Sequence, residues 1–391
     1  MRHAQPWITL PLHIVFSIAI IAFSTQLCLA SRPVTVEDYV KLHKILTDQT
    51  KGEFSWMVFA LISRSMSPQH LALKKHNVLW ETWADNAATF PARPDPSHPP
   101  VWPTPSRQSS SRKHLSPNPI APPHIIDGTL IEVRRNRPSF ESIIKQQLWY
   151  VEGLDCAYNA GINNYGILKS AILDGGSVEV KAAWAPSLDV AHDAKHFYIN
   201  YDSHNKPYKL IGLHVMTNAL DLWTWSTFEQ IDQTTCGTEG DCENQEPAST
   251  SVPPPPRIAS LLYTENPIWR NYRLVDTQIG YMAPEYLGNA TLEKGIQKTS
   301  CIGCHAGARF LDNHSWTPIF VDPSDPSQLK QIDGVSLHGV SLQGGPAPFT
   351  PSKPPAGPFR PLGFLWSVPL HARSLPDGVR NPPCFVPISH H

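Results

Sequence analysis

The hydrophobic pattern changes period along the chain, and each change predicts an element. Val36, Tyr39, Val40, His43 and Leu46 recur at helical spacing behind a Thr35/Asp38 capping pair, which predicts a helix over 35–48. From Glu53 to Arg64 the chain is apolar nearly all round (Phe54, Trp56, Met57, Val58, Phe59, Leu61, Ile62), so a second helix there should be buried, with Met57 as core packing. Asn136 and Pro138 open a third helix, whose Phe140, Ile143, Ile144 and Leu148 form one face. Period two then takes over. Val178, Val180, Ala182 and Trp184 alternate with Glu179, Lys181 and Ala183, predicting a half-buried strand ended by Pro186. Strands over 197–201, 208–216 and 222–229 follow, the last two joined by TNALD as a hairpin. Connections this short exclude crossover helices, so the sheet should be antiparallel. Stretches 271–278 and 363–370 add strands, and 291–298 reads as a short helix. The repeat GVSLHG/GVSLQG over 334–344 reads as loop or short strand, since it does not fit a nucleophile elbow.

Composition adds long connections to this picture. The chain has 40 prolines against 22 glycines. Residues 90–123 turn to proline, serine and basic side chains, which cannot build a core, and shorter proline-rich breaks follow at 251–257 and 346–361. The expected fold is α+β, an antiparallel sheet core with N-terminal helices, a helical segment at 301–305 and long proline-rich loops. The expected domains are a signal peptide over 1–30, an N-terminal helical segment over 31–90, a proline-rich linker over 91–124 and a sheet-containing domain over 125–391.

Arg2 and His3 precede an apolar run from Leu10 to Phe23, and Cys28-Leu29-Ala30 offers small residues for cleavage near Ala30. The run is shorter than the ~20 residues of a spanning helix, so no stable membrane span is expected after signal removal. The expected compartment is the periplasm. A net charge of -1 provides no basic surface for nucleic acid.

One local pattern has chemistry nearly prescribed by its spacing. Cys301-Ile302-Gly303-Cys304-His305 places two thiols three positions apart and an imidazole directly after, the c-type haem attachment pattern. The thiols can add to the two haem vinyl groups, and His305 can bind iron as axial ligand. The competing readings are a zinc knuckle, which wants a second pair of like spacing, and a redox CxxC, which wants a βαβ setting; neither context is present. Export and attachment support each other, because bacterial haem is attached outside the cytoplasm. With Cys28 removed and Cys301 and Cys304 on haem, Cys156, Cys236, Cys242 and Cys384 remain in an oxidising compartment, an even number suited to disulfides. Cys236 and Cys242 close a short loop; Cys156 with Cys384 would be a long-range tie, though spacing does not decide the connectivity.

No methionine follows His305, so the sixth iron ligand must come from elsewhere. His214 is the first candidate, with Met216 and Met282 as alternatives; Met57, Met66, His192, His196, His314, His338 and His371 complete the field. Period two puts His214 and Met216 on one strand face, with Gly212 leaving room for a ring and Trp223 and Trp225 able to wall an apolar pocket. His192 and His196 stand at i, i+4, but no carboxylate completes a metal motif there.

Five stretches together resemble a known family: VEVKAAW (178–184), LIGLHVMTNALDLWTWSTFEQID (210–232), NYRLVDTQ (271–278), NATLEKGIQKTSCIGCHAGA (289–308) and FLWSVPLHA (364–372). The chain is similar in these to the large, exported, single-haem c-type cytochromes of Gram-negative bacteria. The resemblance implies haem attachment through Cys301 and Cys304 with His305 as axial ligand, and implies no established substrate. The family carries a second histidine shortly after the one matching His214; here Met216 and Thr217 stand in that neighbourhood.

The expected function is therefore one-electron transfer by a periplasmic cytochrome with one covalently bound haem c, serving a redox partner protein or a small-molecule oxidant or reductant. The alternative is a haem enzyme or gas-binding sensor with an open sixth position.

Overall fold

The computed structural model describes residues 34–66, 77–103, 115, 129–161, 173–220, 222–231, 252–280, 287, 289, 292, 301–305, 309–311, 359–361, 365 and 367–383. The chain separates into Met1–Thr35 and Val36–His391, and everything below concerns the second unit.

In chain order the elements are helices α1 (Val36–Leu42) and α2 (Lys51–Ile62), strand β1 (Ala84–Asp85), helix α3 (Asn86–Thr89), strand β2 (Leu130–Arg135), helices α4 (Arg137–Lys145) and α5 (Val151–Gly161), and strand β3 (Val178–Pro186). Then come helix α6 (Val190–Asp193), strands β4 (Ile199–Tyr201), β5 (Pro207–Thr217) and β6 (Thr224–Gln230), helix α7 (Pro256–Glu265) and strand β7 (Tyr272–Gln278). The one-turn helix α8 (Cys301–His305), strands β8 (Arg309–Leu311) and β9 (Phe359–Pro361), and helix α9 (Ser367–His371) complete the list.

Seven strands form one antiparallel sheet in the order β1-β2-β3-β5-β6-β7, with β4 pairing the start of β5. β8 and β9 pair separately. This is the expected α+β architecture with an antiparallel core. The strands read from the sequence at β3, β4, β5, β6 and β7 are present, as is the β5–β6 hairpin. α4 starts as expected, with the Asn136 side chain accepting from the Ser139 N–H.

Both faces of the sheet are covered. On the first face, Val178, Val180, Ala182 and Trp184 of β3 join Leu210, Leu213, Val215, Phe228 and Leu274 in a core with α2 and α7. α2 is apolar over most of its surface because most of it is enclosed: Phe59 stacks on Phe228 at 4.4 Å and meets Trp269 edge-on at 5.3 Å, while Glu53 stays exposed. Close approach demands a glycine at its start, since a Cβ on Gly52 would lie 2.8 Å from the Val252 side chain. Burying each such large side chain contributes about 1.5–3 kcal/mol.

The alternation in β3 suggested that its second face meets water, and the structure corrects this. Glu179 is buried, within reach of Arg135 Nε at 3.4 Å and accepting from the Ser139 hydroxyl at 3.0 Å. A polar face can be buried when every charge finds a partner. A second correction concerns 363–370, where the described residues contain helix α9 instead of a strand. The first helix is also shorter than expected, ending at Leu42.

Candidate functional site

α8 is the single helical turn built by CIGCH, and it sits against the second face of the sheet. The Cys301 side chain is half-buried, and its thiol donates to the Leu287 carbonyl at 3.0 Å. Ile302 is fully buried, and its N–H donates to Gln278 Oε1 at 2.9 Å. The His305 ring lies against the Trp225 indole with centroids 4.4 Å apart and planes at 47°.

The sheet supplies the wall. Met216 on β5 is the register partner of Trp225 on β6, which in turn pairs with Gln278 on β7. Directly opposed residues of antiparallel strands project to one face, so Met216, Trp225 and Gln278 form a row beneath α8. Met216, Trp223, Trp225, Ile302, Leu365 and Val368 belong to one apolar cluster, with Cys301 packed against it. Trp223 holds a left-handed backbone, φ 60°, at the end of the hairpin. The Trp225 indole N–H donates to the Leu222 carbonyl at 2.9 Å.

His214 occupies the next row, opposite Lys181 on β3 and Thr227 on β6. It is 8% exposed, and Met216 is 7% exposed. The room at Gly212 is taken by the Asn289 carboxamide, 3.1 Å from where a Cβ would stand. Gly212 thus admits a side chain of the same protein, which revises the reading that it leaves room for a ring.

A charged network adjoins this wall. Arg135 is fully buried; it donates to the Thr89 hydroxyl at 2.6 Å, the Asn86 carboxamide oxygen at 2.6 Å and the Asp85 carbonyl at 3.1 Å. Asn86 Nδ2 reaches His371 Nε2 at 3.1 Å. Burial pushes the His371 imidazole down to about 4, with the Arg135 and Arg373 charges adding to the shift. His371 is therefore neutral at pH 7 and engaged in structure. Sequence reasoning missed Arg135, Asn86 and Gln278, because each takes its role from contacts across 24 or more positions.

Other candidates fall elsewhere. Met57 packs on the first face and Met66 is exposed. The His192 and His196 rings stack at 5.2 Å, 24° from parallel. Among the described residues no group of three or more His, Cys, Asp or Glu gathers around a common point. Met282, His314, His338, Cys236, Cys242 and Cys384 lie outside the described residues, as do the predicted signal segment, the repeat at 334–344 and most of the 291–298 helix. Cys156 is buried in α5.

Comparison with family models, curated proteins and solved structures returns no match for this chain. The chemistry of the site must be judged from its own donors. Two cysteines and a histidine in one helical turn, with Cys301 packed against the apolar cluster and the His305 ring on Trp225, fit a covalently held haem. Among the described residues no helix is long and apolar enough to cross a membrane.

Proposed function

We propose that the chain is a periplasmic single-haem c-type cytochrome acting in one-electron transfer. The observation that carries this reading is the seating of the CIGCH turn, with Cys301 packed against the cluster that holds Met216 and Trp225 and the His305 ring lying on Trp225. Haem, when bound, supplies a one-electron couple at iron. Cys301 and Cys304 would each add S–H across a vinyl double bond, the sulfur taking one carbon and the proton the other, with no net oxidation. His305 would bind iron, and the tryptophans would keep water from it. A low local dielectric favours the less charged state and so tunes the couple.

For the sixth position the support now favours Met216 over His214. Trp225 touches the His305 ring and is the direct cross-strand neighbour of Met216, whereas His214 is one row removed. A methionine ligand would set a higher potential than a second imidazole. A tie from Cys156 to Cys384 is supported by Asn381, whose side-chain amide lies 3.7 Å from the Cys156 sulfur only three positions before Cys384. The electron partner is a redox protein or a small oxidant or reductant.

The experiment is coexpression with haem maturation machinery, followed by reduced visible spectra with and without CO. Covalent haem whose spectrum CO leaves unchanged is the expected result. A large CO shift would replace electron transfer by an open-site haem protein, and absence of covalent haem would defeat the reading. Met216→Leu should abolish the methionine charge-transfer band of the oxidised form, and His214→Ala should leave it in place.

A further inference from the structure

We infer that Trp225 and Gln278 are the positioning residues of the attachment turn: Trp225 sets the plane of the His305 imidazole, and Gln278 holds the turn that carries the thiols. The inference rests on the single-haem reading above and adds to it how the sheet prepares the ligand.

The two residues are register partners on β6 and β7, 2% and 0% exposed. The Trp225 indole is anchored twice, by its strand and by its N–H bond to the Leu222 carbonyl. It cannot turn without breaking that bond, so the face it offers to His305 is fixed. Gln278 acts on the backbone. The first N–H groups of any helix lack partners within it, and a five-residue turn has too few internal bonds to persist alone. Gln278 Oε1 accepts from one of them, the Ile302 N–H, and so pins the turn to the sheet between the two cysteines. Outer groups that orient a metal ligand are worth about 10–100-fold in metal affinity or activity. The orientation of an axial imidazole also changes the splitting of the iron d orbitals, which packing elsewhere does not touch.

The test compares Trp225→Ala, Trp225→Phe, Gln278→Leu and Gln278→Glu with the wild type, all coexpressed with maturation machinery. The readouts are covalent haem per chain, the low-spin electron paramagnetic resonance spectrum of the oxidised protein, and the thermal midpoint. Gln278→Leu should load roughly tenfold less haem, and Gln278→Glu, which keeps an acceptor, should recover most of the loss. Trp225→Ala should shift and broaden the g-values, with Trp225→Phe in between. Phe59→Ala, on the opposite face, is the control for lost stability. An unchanged spectrum in Trp225→Ala, full loading in Gln278→Leu, or equal changes in Phe59→Ala would each overturn the positioning role. Absence of covalent haem from the wild type would instead bring down the single-haem reading, and this inference with it.

Discussion

The two faces of the sheet are built from different materials. The first face presents Val178, Val180, Ala182, Leu213, Val215 and Phe228 to an aromatic layer of Trp56, Phe59 and Trp269. Some of its buried polar groups pair across the core, while the Trp80 and Trp269 indole N–H groups find no partner among the described residues. Ser55, Ser226 and Thr277 share hydroxyl contacts at 2.7 and 2.5 Å. Glu81 accepts from Val78, Asn77, Tyr198 and Asn200, although burial still pushes its carboxyl above the usual range. The second face, on the same strands one residue out of phase, carries Glu179, His214, Met216, Trp225, Thr227 and Gln278 beneath the CIGCH turn. Side-chain parity alone thus sends these two sets of residues to opposite faces of one sheet.

The strongest way to break that comparison is Phe59→Ala. It should cost about 3–5 kcal/mol by denaturant unfolding, because a fully enclosed ring leaves a cavity. Haem loading of the folded protein should not change; a changed spectrum would show that the faces are coupled. Arg135→Met comes next, at about 3 kcal/mol, because it leaves Glu179 a buried carboxylate without its cation. Unlike Phe59→Ala, it should also alter the haem spectrum, since Glu179 is the register partner of Met216.

His371 sharpens the comparison through pH. Its folded pKa, about 4, lies below the ~6.5 of an unfolded histidine, so between these values the unfolded chain binds the extra proton. The stability is fully present above pH 6.5 and is lost as pH falls toward 4, by roughly 2–3 kcal/mol. Unfolding at pH 7 and pH 4.5 should therefore differ less in His371→Gln than in the wild type, and an equal difference would remove His371 from the acid response. The smallest effect is expected of Ser55→Ala, about 1 kcal/mol by the same unfolding measurement, with no change in the haem spectrum.

Legibility followed the kind of force involved. β3, β5, β6 and β7 were readable because alternation of Val, Leu and Trp with polar residues survives in the sequence. β2 was not, because LIEVRR places Glu132, Arg134 and Arg135 at buried positions that only ion pairs and hydrogen bonds across the fold make tolerable. α7 was hidden by four prolines taken as a break, when Pro256 is a helix-starting residue. In α9 the run SVPLH is too short for apolar periodicity to tell helix from strand. Cys301, Cys304 and His305 stood out in the sequence because CxxCH is a fixed local spacing. His214 and Met216 were legible only as a pair sharing a face.

By itself the sequence determined the CIGCH spacing, the sheet's antiparallel character and the absence of any methionine after His305, since all three depend on short-range spacing or on composition. Tertiary structure alone decided that Trp225 meets His305, that Gln278 holds Ile302, that Asn289 fills the space at Gly212, and that a network around Arg135 lies beside the wall. The reason is physical: each is a contact between distant strands or segments, set by register across the sheet, and local periodicity carries no information about which row on one strand will face which turn from another.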